Sequence, residues 1–139
     1  MLFRDKFFRC NCPVTSALDI VGDKWTLVII KLMLLEHKKT FKEFSECAES
    51  IAPSILSNRL KRLEEFRFIE KTELPNNRKT KYYLLTKTGL SLTPIIMELT
   101  LWSHHNITPI EDQEILNLLG KEEMCQLVID SYKSKTASL

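Results

Sequence analysis

Four cysteines and a band of cationic side chains are the residues whose types and spacing could do chemistry in this chain. Cys12 immediately precedes Pro13, and a proline, having no amide hydrogen, suits the first position of a helix. Cys12 therefore falls at a helix N-cap, where the positive end of the helix favours thiolate over thiol, with Arg9 or Lys24 near enough to add to it. An accessible thiol of lowered pKa reacts faster with oxidants and electrophiles. Cys12 is thus the candidate redox-sensing residue, against the alternative of a small side chain that only fills its site. Cys10 lies two residues away, but two thiolates at C-x-C are too few for a closed tetrahedral site, and no Cys or His pair is placed to complete it. His104 and His105 are neighbours, so on a helix they diverge by about 100° and do not chelate together. Cys47 and Cys125 sit in apolar stretches as semi-buried packing. No metal and no cofactor are expected.

The second chemistry is recognition of a polyanion. Between Ser54 and Lys87 stand nine basic residues against four acidic ones, a local surplus of five in a chain whose net charge is +2. Ser54, Ser57 and Asn58 are short polar side chains suited to base edges or phosphates at a helix start. Arg59, Lys61 and Arg62 can clamp phosphates, and an arginine can also pair with guanine. Arg78, Lys79 and Lys81 would lay a ribbon along the flanking minor groove or backbone. A basic helix face by itself is usually solvated surface. Here helix, turn, helix and basic-tipped ribbon follow in the order of a winged helix-turn-helix, a fold class that is mainly α with a small β-hairpin wing.

The elements that must position these residues are legible from periodicity and punctuation. Residues 1–12 read as an arm. A first helix from Pro13 carries Val14, Ala17, Leu18 and Val21 on one side and ends near Gly22. Asp23 caps a second, from Lys24 to about Leu35, that is apolar nearly all round and so forms the buried centre. Thr40-Phe41-Lys42-Glu43 has the spacing of a capping box, opening a short helix that buries Phe41 and Phe44. After a break at residues 49–52 comes a fourth helix with Pro53 in its first turn. Ile55, Leu56, Leu60 and Leu63 form its inner face, with Ser54, Ser57, Asn58, Lys61 and Arg62 opposite.

Ile69 to Leu74 and Lys79 to Leu85 are strand-like, around the turn formers Pro75-Asn76-Asn77-Arg78. Thr86 caps a long helix to about Asn106, kinked by Pro94 and carrying Leu90, Ile95, Ile96, Leu99 and Trp102. Thr108-Pro109-Ile110-Glu111 has the spacing of a second capping box and opens a helical region to about Lys133. Ile115, Leu118, Leu119, Leu127 and Val128 are too apolar there to be left in water, and Gly120 divides the region in two.

The bulk numbers bound the rest. A chain of 139 residues, 44% hydrophobic and 27% charged, suits one domain, or one domain with an added oligomerisation element. Its most apolar stretch, Trp25 to Leu35, is interrupted by Lys31 and is too short to span a bilayer. No secretory signal is evident, which places the chain in the cytoplasm with reduced thiols and no membrane partner. Only three glycines, no phosphate-binding loop and no C-x-x-C argue against an enzyme.

Cys12-Pro13-Val14, Gly22-Asp23-Lys24-Trp25-Thr26-Leu27, Thr40-Phe41-Lys42-Glu43-Phe44, Leu56-Ser57-Asn58-Arg59-Leu60, Leu63-Glu64 and Tyr83-Leu84-Leu85-Thr86-Lys87-Thr88-Gly89 resemble the HxlR-type transcriptional regulators, a branch of the MarR-like winged-helix group. The resemblance runs from about Cys12 to Asn106. It implies a homodimeric DNA-binding regulator, often a repressor, with the first and last helices at the dimer interface. The family's recognition helix then maps onto Ser54 to Phe66 and its wing onto Ile69 to Leu85. It also implies sensing of quinones, aldehydes or hypochlorite through the cysteine at position 12, as several members do. Ala52 stands where the family commonly places a capping Ser or Thr, and Arg67 where a glycine usually ends the recognition helix.

The expectation is a winged helix-turn-helix over residues 13–106, with a dimerising extension over 107–139. It binds double-stranded DNA as a homodimer at an inverted repeat. Two rival readings stay open. One is a winged helix serving as a protein-interaction module; the other is a regulator induced by a small ligand between the dimerisation helices, near Trp25 and Trp102.

Overall fold

The structure is a computed structural model and describes residues 7–118 and 122–137. Leu119 and Gly120, the side chain of Leu118 and the first six residues of the arm lie outside the described residues. In chain order the elements are α1 (Pro13–Val21), α2 (Thr26–Glu36), α3 (Phe41–Ser45), α4 (Pro53–Glu65), β1 (Ile69–Leu74), β2 (Asn77–Leu85), α5 (Lys87–Leu90), α6 (Thr93–Asn106), α7 (Gln113–Leu118) and α8 (Glu122–Thr136).

Helix α2 is the centre because it has almost no polar face to give to water. Ile29, Ile30, Leu32 and Met33 are fully buried. Around them pack Phe44 of α3, Leu56, Leu60 and Leu63 of α4, Ile69 and Leu85 of the wing base, and Ile96 and Met97 of α6. The helix begins two residues later than its sequence suggests. Asp23 accepts the amides of Trp25 and Thr26 at 3.0 and 3.1 Å, and the Thr26 hydroxyl as well, so the free donors are met from a turn outside the helix.

The capping box of α3 forms as its spacing implies. The Glu43 amide donates to Thr40 Oγ1 at 3.2 Å, and the Glu43 carboxylate accepts the amides of Lys39 and Thr40. Phe44 is buried, but Phe41, at the first position of so short a helix, faces out at 38% exposure. On α4, Ile55 is likewise displaced to the flank, one residue and about 100° from Leu56.

Arg67 takes the left-handed conformation expected where a glycine is usual, with φ of 60°. The Phe68 amide then reaches back to the Leu63 carbonyl at 2.9 Å, closing α4 and starting β1. The strands pair antiparallel from Ile69 opposite Leu85 to Glu73 opposite Lys81, with an irregularity at Glu73/Leu74 before the Pro75-Asn76 turn. Strand β2 starts at Asn77 rather than Lys79. The Tyr83 amide donates to the Lys39 carbonyl at 2.7 Å, tying the α2–α3 loop to the wing.

Beyond the wing the single kinked helix gives way to two. Thr86 caps only α5, accepting the Gly89 amide at 3.1 Å, and the chain breaks at Ser91–Leu92. Pro94 sits in the first turn of α6 instead of kinking its middle. A proline interior to a helix would lose a hydrogen bond and crowd the preceding turn, whereas the first turn needs no amide from it. Gly89 allows α5 to lie on the wing base: a Cβ there would fall 2.1 Å from the Phe68 carbonyl oxygen.

The capping box expected at Thr108–Glu111 does not form. The Thr108 amide instead closes α6 on the Ser103 carbonyl, and Asp112 caps α7 by accepting the Glu114 and Ile115 amides. Helix α8 returns across α2 and α6 and buries Tyr132, whose hydroxyl accepts the Leu85 amide at 2.7 Å. On the single chain Leu127 and Ile115 are exposed and Val128 is half-buried.

Candidate nucleic-acid interface

Helices α3 and α4 form the helix-turn-helix, and the wing stands beside α4 through the Arg67 turn. Because Leu56, Leu60 and Leu63 are held in the core, the opposite stripe of α4 must face outward. Ser54, Ser57, Asn58 and Lys61 are all exposed there, at the three- and four-residue spacings that share a helix face. Ala52 supplies no side-chain cap. Arg78 and Lys79 are exposed at the start of β2. Lys81 is exposed too, but its ammonium pairs with Glu73 across the strands and also donates to the Arg78 carbonyl at 3.3 Å.

Two of the candidate residues also hold partners at the corner between α1 and α2. Arg59 Nε lies 2.9 Å from Asp23 Oδ2, an ion pair whose angle falls short of a hydrogen bond, while Arg59 Nη1 donates to Asn58 Oδ1 on the outward stripe at 3.3 Å. Arg62 Nη2 donates to the Asp19 backbone carbonyl at 2.9 Å, and its guanidinium lies 5.3 Å from the Phe66 ring centre. Both arginines grip the corner between α1 and α2. Sequence reading found Asp23 as a helix cap but missed its second job, because pairing with a residue thirty-six positions away leaves no periodic trace. Burial would raise the Asp23 carboxyl, but hydrogen bonds from Thr26 and Trp25 and the Arg59 charge outweigh it and hold it below the usual carboxylate range.

Cys12 is exposed at the N-cap of α1. Its thiol is held below the ordinary value by the Thr15 amide, then the Thr15 hydroxyl and the Val14 amide, the donors of the first helical turn. The expected help from Arg9 or Lys24 is not the cause. Arg9 is committed to Asp19, Nε to Oδ1 at 2.6 Å, and the Lys24 ammonium lies over the Trp25 ring. The Cys12 amide donates to the Cys10 sulfur at 3.4 Å. Cys47 is buried and Cys125 half-buried.

An apolar groove of about 390 Å³ lies between α2 and α6, bordered by Leu27, Val28, Lys31, Ile96, Leu99 and Ile110. Trp102 is 58% exposed, on a stripe of α6 with Ile95 and Leu99. Among the described residues no helix is long and apolar enough to cross a membrane.

A mostly helical body with a two-stranded wing and an outward α4 defines a winged helix-turn-helix. The pattern of the HxlR-like helix-turn-helix family matches residues 20–111, and the chain belongs to that family. Its members are DNA-binding transcriptional regulators, not enzymes. The chain is 32% identical over 99 residues to the HTH-type transcriptional regulator YodB of Bacillus subtilis (strain 168), covering 70% of this chain and 88% of YodB. It is 30% identical over 113 residues to YybR of the same organism, an HTH-type transcriptional regulator, covering 81% and 90%. Among solved structures, the redox regulator HypR in its oxidised form superposes with a TM-score of 0.61 at 30% identity, over 68% of this chain and 97% of HypR. Reduced YodB superposes at 0.58 and 30% identity, over 73% and 100%. YodB has also been solved quinone-bound and after diamide treatment.

Proposed function

We propose that the chain is a homodimeric, sequence-specific repressor that binds an inverted-repeat operator and is released from it when Cys12 is modified. The observation that carries this reading is the outward stripe of Ser54, Ser57, Asn58 and Lys61 beside Arg78 and Lys79, all mounted on one core. Ser54, Ser57 and Asn58 read base edges in the major groove, while Lys61, Arg78, Lys79 and, in part, Lys81 meet backbone phosphates. In a twofold dimer the two α4 helices enter successive major grooves about 34–36 Å apart. Exposed Val14 and Leu18 on α1, with Ile95, Leu99 and Trp102 on α6, supply apolar surface for the second copy. The extension from 107 to 139 adds to that surface through Ile115 and Leu127.

The effector is a small oxidant or electrophile. That assignment is supported by the exposed, lowered thiol of Cys12 and by relatives that are a redox regulator and a quinone-binding protein. Footprinting the duplex that adjoins the coding region tests the DNA reading. Two protected patches one helical turn apart are expected, and no protection rejects it. Cys12→Ser tests the input: release from that duplex by diamide or a quinone is expected to disappear. The groove beside Leu27, Val28 and Leu99 favours a second reading, a small apolar inducer, which release persisting in Cys12→Ser would support.

A further inference from the structure

Arg59 lies on the helix that the preceding reading turns toward DNA, yet its Nε is buried against Asp23. The Asp23 carboxylate is already fixed by the Trp25 amide at 3.0 Å, the Thr26 amide at 3.1 Å and the Thr26 hydroxyl. An anchored carboxylate restrains a guanidinium far more than a mobile surface one does. Three residues on, Arg62 donates to the Asp19 carbonyl at 2.9 Å and rests on Phe66. A planar cation held between a carbonyl and a ring has a fixed orientation. The two arginines therefore grip two points, Asp19 and Asp23, of the same α1–α2 corner. The apolar stripe of Leu56, Leu60 and Leu63 sets how deep α4 sits, while polar contacts at its flank set its rotation.

Resting on α4 as the DNA-facing helix, we propose that Arg59 and Arg62 are positioning residues and not phosphate contacts. Through Asp23 and the Asp19 carbonyl they fix the rotation of α4 at which Ser54, Ser57, Asn58 and Lys61 face outward. A consequence separates this role from a direct contact. A cation already neutralised by Asp23 displaces no counterion when DNA docks, so its removal weakens binding without changing the salt dependence.

The test measures binding of the full chain to its footprinted duplex by fluorescence anisotropy, from about 50 to 200 mM salt. Arg59→Gln is expected to weaken binding about tenfold at every salt concentration, with an unchanged log–log slope. Asp23→Asn keeps an amide oxygen for the Trp25 and Thr26 donors but removes the charge. It frees the guanidinium for phosphate and is expected to steepen the slope by about 0.9 per half-site. The double variant is expected to bind no more weakly than Arg59→Gln alone. A slope flattened by about 0.9 per half-site in Arg59→Gln, unchanged in Asp23→Asn and with additive losses, overturns the proposal. If circular dichroism shows Arg59→Gln unfolded, Asp23→Asn decides: a steeper slope supports the clamp and an unchanged one overturns it. A wild-type chain that binds no duplex defeats the DNA reading instead. The clamp is then read from thermal unfolding of the two single variants and the double, where coupled shifts support it and additive shifts overturn it.

Discussion

Tyr132 and Leu85 are joined by a buried hydrogen bond, the tyrosine hydroxyl accepting the Leu85 amide at 2.7 Å. The last helix thus holds the base of the wing from behind, at the end of the strand opposite its cationic tip. An element far from the cationic tip therefore supplies one of the buried contacts that hold the wing base.

Tyr132→Phe leaves the Leu85 amide buried with no acceptor, at a cost of about 1–3 kcal/mol. Urea denaturation should show that loss, and amide exchange at Leu85 should accelerate. Unchanged exchange at Leu85 would mean the wing base is held by its strand pairing alone.

Arg67 holds a left-handed backbone without being glycine. Arg67→Gly should relieve that conformation and raise stability by about 0.5–1 kcal/mol, less than the full strain because the unfolded chain gains freedom. Differential scanning calorimetry should find a melting temperature a few degrees higher. A lower one would show that the arginine side chain contributes more than its backbone strain removes.

Acid should destabilise the fold through three carboxylates. Burial raises Asp23 but its hydrogen bonds and Arg59 win, Arg9 lowers Asp19, and Lys31 lowers Glu49. A depressed carboxyl binds fewer protons folded than unfolded. Its contribution is therefore present above the unfolded value, about 4, and is lost as pH falls through the depressed one. Melting temperature should be level from about pH 5 to 7 and drop below about pH 4, with a shallower drop in Asp23→Asn.

The parts of the fold written in local pattern were legible in the sequence. The Thr40–Glu43 capping box, the start of α4 at Pro53 and the span of β1 each depend on neighbours a few residues apart, whereas the left-handed Arg67 was implied only by the family resemblance. Elements decided by distant partners were not. Pro94 sat in an unbroken apolar pattern, so its use as a helix start showed only once α5 lay on the wing base at Gly89. Thr108–Glu111 had the right spacing for a cap, but the end of α6 claimed the Thr108 amide first. At the candidate site the exposed stripe of α4 followed from periodicity, whereas the contacts of Arg59 with Asp23 and of Arg62 with the Asp19 carbonyl did not, because both partners lie on α1 and its corner.

Cys12 should react as a thiol more acidic than a free cysteine, whose ordinary pKa is about 8.5. Iodoacetamide alkylation, followed residue by residue with mass spectrometry, should show its half-maximal rate below that pH. Thr15→Val removes the hydroxyl, one of the donors that lower the thiol, and should move the midpoint upward. A midpoint at or above the ordinary value would remove the chemical basis for sensing at this position.

The most direct measurement is the salt dependence of duplex binding by the wild type and by a variant with Lys61, Arg78 and Lys79 all changed to Gln. The wild type is expected to lose affinity steeply, about 10³–10⁵-fold from 50 to 200 mM salt if each dimer meets 6–10 phosphates. The variant should flatten the log–log slope by about 0.9 for each contact removed. A wild-type affinity that ignores salt, or a variant with the same slope, would contradict a DNA interface made by α4 and the wing.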